Sequence, residues 1–196
     1  MQKKIAAPER RTARDRLLAA AEELFYEEGI NTVGIDRVIE RAGVAKASLY
    51  DIFGSKEELI RSYLVARHEA RRARIKEKLA RYATPKERLL GVFDVMGEVF
   101  AEPGFRGCAF ARASAEVRPG SSVKNVCDEA RIWTRTLFTD LAQDAGATDP
   151  ESLAEQLVLL YDGATLSAQM DGNPGAAAAA RAAASLMLDA ATGYPG

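Results

Sequence analysis

Three polar side chains stand close enough in the chain to read DNA bases together: Lys46, Ser48 and, a little upstream, Arg37. Lysine can donate to guanine and serine can bond either partner, so each fits the edge pattern displayed in a major groove. Ala47 between them offers at most a methyl contact to thymine. Such contacts are permissive, and no target sequence can be read from them. Catalysis would need different groups. Cys108, Cys127 and the single histidine, His68, fall in separate segments with no nucleophile–base or metal-ligand spacing, so the residues point to no enzyme, no metal and no cofactor. A redox-sensing cysteine would have to be Cys108 or Cys127, although a small buried cysteine is the commoner fate.

Lys46 and Ser48 act on DNA only if a helix carries them into the groove. The stretch from Gly34 to Lys56 supplies one. Ile35, Val38, Ile39 and Ala42 repeat at helical spacing, and Gly43 provides the left-handed residue that stops the first helix. Val44 fills the corner. From Lys46 to Phe53 a second helix turns Leu49 and Phe53 inward at i and i+4, and Gly54 ends it. This is a helix-turn-helix, whose second helix is narrow enough to enter a major groove.

Over the same residues the chain reads Val38-Ile39-Glu40-Arg41-Ala42-Gly43-Val44-Ala45-Lys46-Ala47-Ser48-Leu49-Tyr50-Asp51-Ile52-Phe53-Gly54-Ser55-Lys56-Glu57-Glu58-Leu59. In type and spacing it resembles the tetracycline-repressor family of transcriptional regulators, whose signature runs Ile-Ala-x-x-Ala-Gly-Val-Ser-x-x-Thr-Leu-Tyr-x-x-Phe-x-x-Lys-x-x-Leu. The resemblance is sharp over residues 12–64 and architectural beyond. It implies that Tyr50 and Lys56 hold phosphates, the tyrosine through its hydroxyl and the lysine at a helix start whose dipole also favours anions. Two positions depart from the pattern. Gly34 stands where relatives place a Thr or Ser cap, a loss of only a few tenths of a kcal/mol, and Ile52 replaces an aromatic or polar residue.

The net charge of −1 conceals an uneven distribution: residues 1–81 carry 18 Lys+Arg against 13 Asp+Glu, and the remainder carries 9 against 15. Salt screens charge beyond about 8 to 10 Å, so a phosphate near the N-terminal part would feel the local surplus. Residues 1–11 read as disordered, and Lys3, Lys4, Arg10, Arg11, Arg14 and Arg16 as a basic arm that leads into the first helix. No apolar run reaches signal-peptide or membrane-span length, and two cysteines are too few for a secreted disulfide framework, so a cytoplasmic location is expected.

The rest of the chain shows helical periodicity and no strand pattern. A first helix is expected from Thr12 to Glu28, and Ser55 with Glu58 caps a long helix to about Arg81, with Leu59, Tyr63, Ala70 and Leu79 inward and Arg67, Arg71, Arg72, Arg74, Lys76 and Lys78 outward. Thr84-Pro85-Lys86-Glu87 caps the next. Further helices are expected near 107–118, 122–145, 150–170 and 175–191. The fold class is all-α: a three-helix DNA-binding domain at 12–55 and a helical ligand-binding and dimerisation domain at 56–196. The alanine-rich last helix permits close approach, so 150–170 and 175–191 are the expected homodimer face, where the family resemblance also puts it. Phe93, Met96, Phe100, Phe110, Trp133, Leu137, Tyr161 and Met170 are large apolar residues expected to gather in this region. The resemblance implies a pocket there, with the first seven as its lining, for a small-molecule effector that weakens binding to a double-stranded DNA operator, although such a stripe is more often plain core.

Overall fold

The computed structural model describes residues 11–193, among which there are nine helices and no strand. They are α1 (Ala13–Glu28), α2 (Ile35–Ala42), α3 (Lys46–Phe53), α4 (Lys56–Leu79), α5 (Pro85–Phe100), α6 (Ala109–Glu116), α7 (Ser122–Asp144), α8 (Pro150–Asp171) and α9 (Ala176–Thr192). The chain forms two compact units that divide between Tyr63 and Leu64, within α4. Residues 1–10 of the expected basic arm lie outside the described residues.

In the first unit, α1 begins at a capping box in which Thr12 accepts from the Asp15 amide and Asp15 reaches back to the Thr12 amide. Its inner face buries Leu17, Ala20, Ala21, Leu24 and Phe25. Against these pack Val33, Val38, Leu49 and Leu59, all fully buried, with Tyr63 tilted on Phe25 at 5.8 Å between ring centres. The turn after α2 closes because Gly43 sits at φ 61°, ψ 45°, where its amide and that of Val44 bond back to Glu40 and Ile39. Two arginines read as part of the arm belong to this scaffold instead. Arg16 donates to the Gly43 carbonyl at 3.1 Å, and the Arg14 guanidinium lies 5.7 Å from the centre of the Phe53 ring. Both follow from their place on the first turns of α1, which face the helix-turn-helix.

The second unit is a helical bundle around a core contributed by α5, α7, α8, α9 and the end of α4, with Phe93, Phe138, Leu89, Leu157 and Leu188 at its centre. The capping box at Thr84 and Glu87 and the Asp149 cap start α5 and α8 where the sequence pattern puts them. Within this unit α4 buries Leu64, Ile75 and Leu79 and half-buries His68 and Arg71, a row spaced 4, 3, 4 and 4. Ala70 falls off that row and is exposed, contrary to the expected inward face, while Arg71 falls on it and turns inward. Met170, expected among the gathered apolar residues, is 75% exposed.

Gly91 on α5 is buried where the Tyr82 ring crosses the helix. A Cβ there would lie 2.9 Å from Tyr82 Cδ2 and 3.0 Å from Leu79 Cδ2. The ring cannot swing freely because its hydroxyl donates to Asp94 Oδ2 at 2.6 Å. Gly91→Ala should therefore destabilise by about 1 to 2 kcal/mol, overpacking outweighing the helix-propensity gain of about 1 kcal/mol. A lowered urea midpoint with unchanged m-value would register it.

Candidate DNA interface and effector cavity

On the first unit the second helix of the helix-turn-helix, α3, presents a continuous outer face. Leu49 and Phe53 hold it down, and the 3.6-residue period leaves Lys46, Ala47 and Tyr50 exposed and Ser48 half-buried beside them. Ala45 is its N-cap and makes no side-chain bond. Lys46 Nζ donates to Asp36 Oδ1 at 2.9 Å across the turn, a bond that also holds its pKa above the ordinary lysine value. Both partners are well exposed, so the pair is weak and Lys46 can exchange Asp36 for a phosphate or a base edge. Tyr50 is 46% exposed and Ile52 37%. Lys56 starts α4, half-buried next to the Ser55 cap that accepts from the Glu58 amide at 3.1 Å.

Arg37 is differently engaged. Its guanidinium forks onto Glu28 at 2.6 and 2.8 Å, and Arg41 forks onto Glu23 at 3.0 and 2.5 Å. Both pairs tie α2 to α1, and the hydrogen bond to Glu28 is the main reason the Arg37 pKa rises. Arg37 must give up a bidentate partner before it could touch DNA, whereas Lys46 gives up a single one.

The second unit contains a cleft of about 470 Å³ among α4, α6, α7 and α8. Phe110 and Tyr161 line it, but the other five residues expected there do not. Phe93, Met96 and Phe100 are buried in the core, and Trp133 and Leu137 pack against that core. Large apolar residues mark the core and the cleft alike, so their type alone could not separate the two. Both cysteines line the cleft. Burial, reinforced by the neighbouring Cys108, pushes the Cys127 thiol up to about 11, which keeps it protonated and unreactive at neutral pH.

Arg71 is the feature of the cleft that residue type did not suggest. Its Cζ lies 4.9 Å from the Phe110 ring centre and 5.1 Å from that of Trp133. Nη2 donates to the Ala130 carbonyl at 3.2 Å and Thr134 Oγ1 at 3.3 Å, while Nε is buried without a partner. The only sequence signal was positional: Arg71 stands on the row of Leu64, His68, Ile75 and Leu79.

His68 stands edge-on to Phe110 and Trp133, with Nδ1 3.3 Å from Arg71 Nη2. Burial, then the charges of Arg71 and Arg72, drive its pKa from 6.5 down to about 4, so at neutral pH Nδ1 is a free acceptor for the Arg71 donor. The unfolded chain gains this proton near pH 6.5 and the folded chain only near pH 4. The stability is therefore complete above 6.5 and is lost as pH falls between those values. Allowing for solvent screening, acidification from pH 7 to 5 should cost the native protein about 1 kcal/mol more than it costs His68→Gln. Urea unfolding of both proteins at the two pH values measures that difference.

Comparison with known proteins agrees with the helix-turn-helix and extends past it. Residues 17–63 match the family described as Bacterial regulatory proteins, tetR family. An uncharacterized HTH-type transcriptional regulator of Mycobacterium tuberculosis is 40% identical over 79 residues, and the match spans only 39% of that relative's length. The HTH-type transcriptional repressor NemR of Escherichia coli is 26% identical over 167 residues, covering 80% of this chain and 84% of NemR. Among solved structures, SCO4454, a TetR-family transcriptional regulator from Streptomyces coelicolor, superimposes with a TM-score of 0.87 at 31% identity, covering 92% of this chain and 96% of that one.

Proposed function

This chain belongs to the TetR family of DNA-binding transcriptional regulators, and we propose that it is a repressor that binds a palindromic operator as a homodimer and is released by a small molecule held in the cleft of its second unit. The observation that carries the reading is the outer face of α3, where Lys46, Ala47, Ser48 and Tyr50 are displayed around a buried Leu49 and Phe53. Lys46 and Ser48 meet base edges, while Tyr50 and Lys56 hold phosphates on either side. Repression is the activity named for NemR.

One such helix makes too few contacts for a specific site at physiological salt, so two are needed about one helical turn apart. The dimer is formed by α8 and α9. On α8, Leu159, Gly163, Leu166 and Met170 form an exposed stripe at helical spacing, and on α9 Ala179, Ala182, Leu186 and Ala190 form another. Exposed large apolar residues arranged in rows on adjacent helices favour a partner helix pair, and a Cβ on Gly163 would meet nothing within 4 Å, which leaves room for close approach. The effector acts by binding the DNA-incompetent arrangement better, a difference of about 1 to 3 kcal/mol being enough. No helix among the described residues is long and apolar enough to cross a membrane.

Selection of bound fragments from random DNA, followed by titration at two salt concentrations, tests the reading. The expected product is a palindrome with half-sites about 10 to 10.5 base pairs apart, or a multiple of that spacing. Tyr50→Phe and Lys56→Ala should each weaken binding to all sequences alike, and Lys56→Ala should flatten the salt slope by about 1, as expected when one fewer phosphate is neutralised. Failure to enrich any sequence at low salt would remove the repressor reading.

A further inference from the structure

The cleft of the second unit contains a cation without a counter-ion among the described residues. The partners of Arg71 are all neutral groups: the Ala130 carbonyl, the Thr134 hydroxyl, the His68 ring and the faces of Phe110 and Trp133. Its Nε is buried with no acceptor. The two acids that line the same cleft are committed to other cations, Asp162 to Arg131 at 2.6 Å and Asp128 to Lys124. Tyr161 adds a hydroxyl next to Arg71, and its pKa is raised chiefly by burial, so it remains a donor. A half-buried guanidinium that borders a cleft with no carboxylate to balance its charge favours an anion on its cleft side.

We propose that Arg71, with the Tyr161 hydroxyl beside it, is the anchor of a carboxylate subsite, and that the effector is a small monocarboxylic acid with a short apolar body. This rests on the reading of the cleft as the effector site. A carboxylate offers two acceptor oxygens to the fork of Arg71, and such charge-assisted bonds are about twice as strong as neutral ones. Phe110, Ala130, Cys127 and Leu166 give the body of the acid an apolar stretch of wall, while the charged lining residues Asp128, Asp162 and Arg131 are held in ion pairs of their own. His68 contributes by position, its neutral ring accepting from Arg71 Nη2 at 3.3 Å and so orienting the guanidinium. The aromatic faces on Arg71 fix the plane of its fork, and no carboxylate among the described residues pairs with it where it borders the cleft.

Trp133 is the only tryptophan of the chain and touches Arg71, so its emission reports on the subsite directly. Full-length protein would be titrated with hexanoate and benzoate and with their uncharged counterparts hexanamide and benzamide. The expected result is saturation of the Trp133 signal by at least one acid at a concentration about tenfold or more below that of its amide. Arg71→Gln should abolish that preference and Arg71→Lys should retain part of it. The comparison of acid with amide in the unmodified protein holds even if these variants fold poorly. Equal response to acid and amide would overturn the carboxylate subsite and leave the cleft as a site for neutral molecules. No saturable response to any of the four would overturn the subsite as well. Release of operator DNA is followed in the same samples. An acid that saturates Trp133 without releasing DNA would overturn the effector reading and leave the subsite standing.

Discussion

Leu159→Glu is expected to convert the protein to a monomer and to lower its affinity for a full palindrome by about 100-fold or more, while its affinity for a single half-site stays nearly unchanged. Leu159 is 69% exposed, so the substitution removes no core packing in the isolated chain. In the dimer it would place a carboxylate inside an apolar helix pair, where it has neither water nor a cation to meet. Two recognition helices joined in one dimer make the second half-site contact intramolecular, a gain of about 10² to 10⁴, and that gain disappears with the dimer. Leu186→Glu, on the neighbouring stripe of α9 at 73% exposure, should act in the same way. Sedimentation gives the oligomeric state, and binding to full-site and half-site duplexes separates avidity from damage to α3. A variant that stays dimeric would move the interface to another face.

The second large effect concerns folding. Phe138→Ala should cost about 3 to 5 kcal/mol, because it deletes a fully buried ring from the centre of the second unit and the surrounding helices can close the gap only in part. Phe138 lies 5.8 Å from the Phe93 ring centre and 6.0 Å from that of Tyr161. A fall in melting temperature of roughly 10 °C or more is expected for a domain of this size. Ile132→Ala on the same helix, at 63% exposure, should change stability by less than about 0.5 kcal/mol and serves as the comparison. Because Tyr161 lines the cleft, the space left by Phe138 lies behind one of its walls, and the variant should admit larger ligands even as it loses stability.

Much of the architecture was legible because helix ends carry local chemistry. The left-handed Gly43, the box at Thr84, the Ser55 cap and the Asp149–Pro150 start each act within four residues, so the sequence states them without reference to the fold. The phase of α4 was not local in that sense. Its basic run suggests a solvated face throughout, and Ala70 is placed inward by counting on from Tyr63. What decides the matter is which row meets the second unit's own core, and that depends on residues far away on α5 and α7. The cleft is harder still. Phe93 and Phe110 are the same residue type on similar amphipathic helices, yet one fills the core and the other lines a gap, since a gap is a property of distances between helices. Arg71 is hidden for the opposite reason, being a charged residue among charged residues.

Leu166 belongs both to the exposed stripe of α8 and to the rim of the cleft. Whatever seats on that stripe therefore borders the cleft. In a dimer closed over α8, a small molecule would enter and leave mostly while the two chains are apart, and its exchange would follow the slow clock of subunit dissociation instead of diffusion. Such a switch has memory: after the effector is withdrawn, the operator would stay empty for an interval set by how long the two chains hold together.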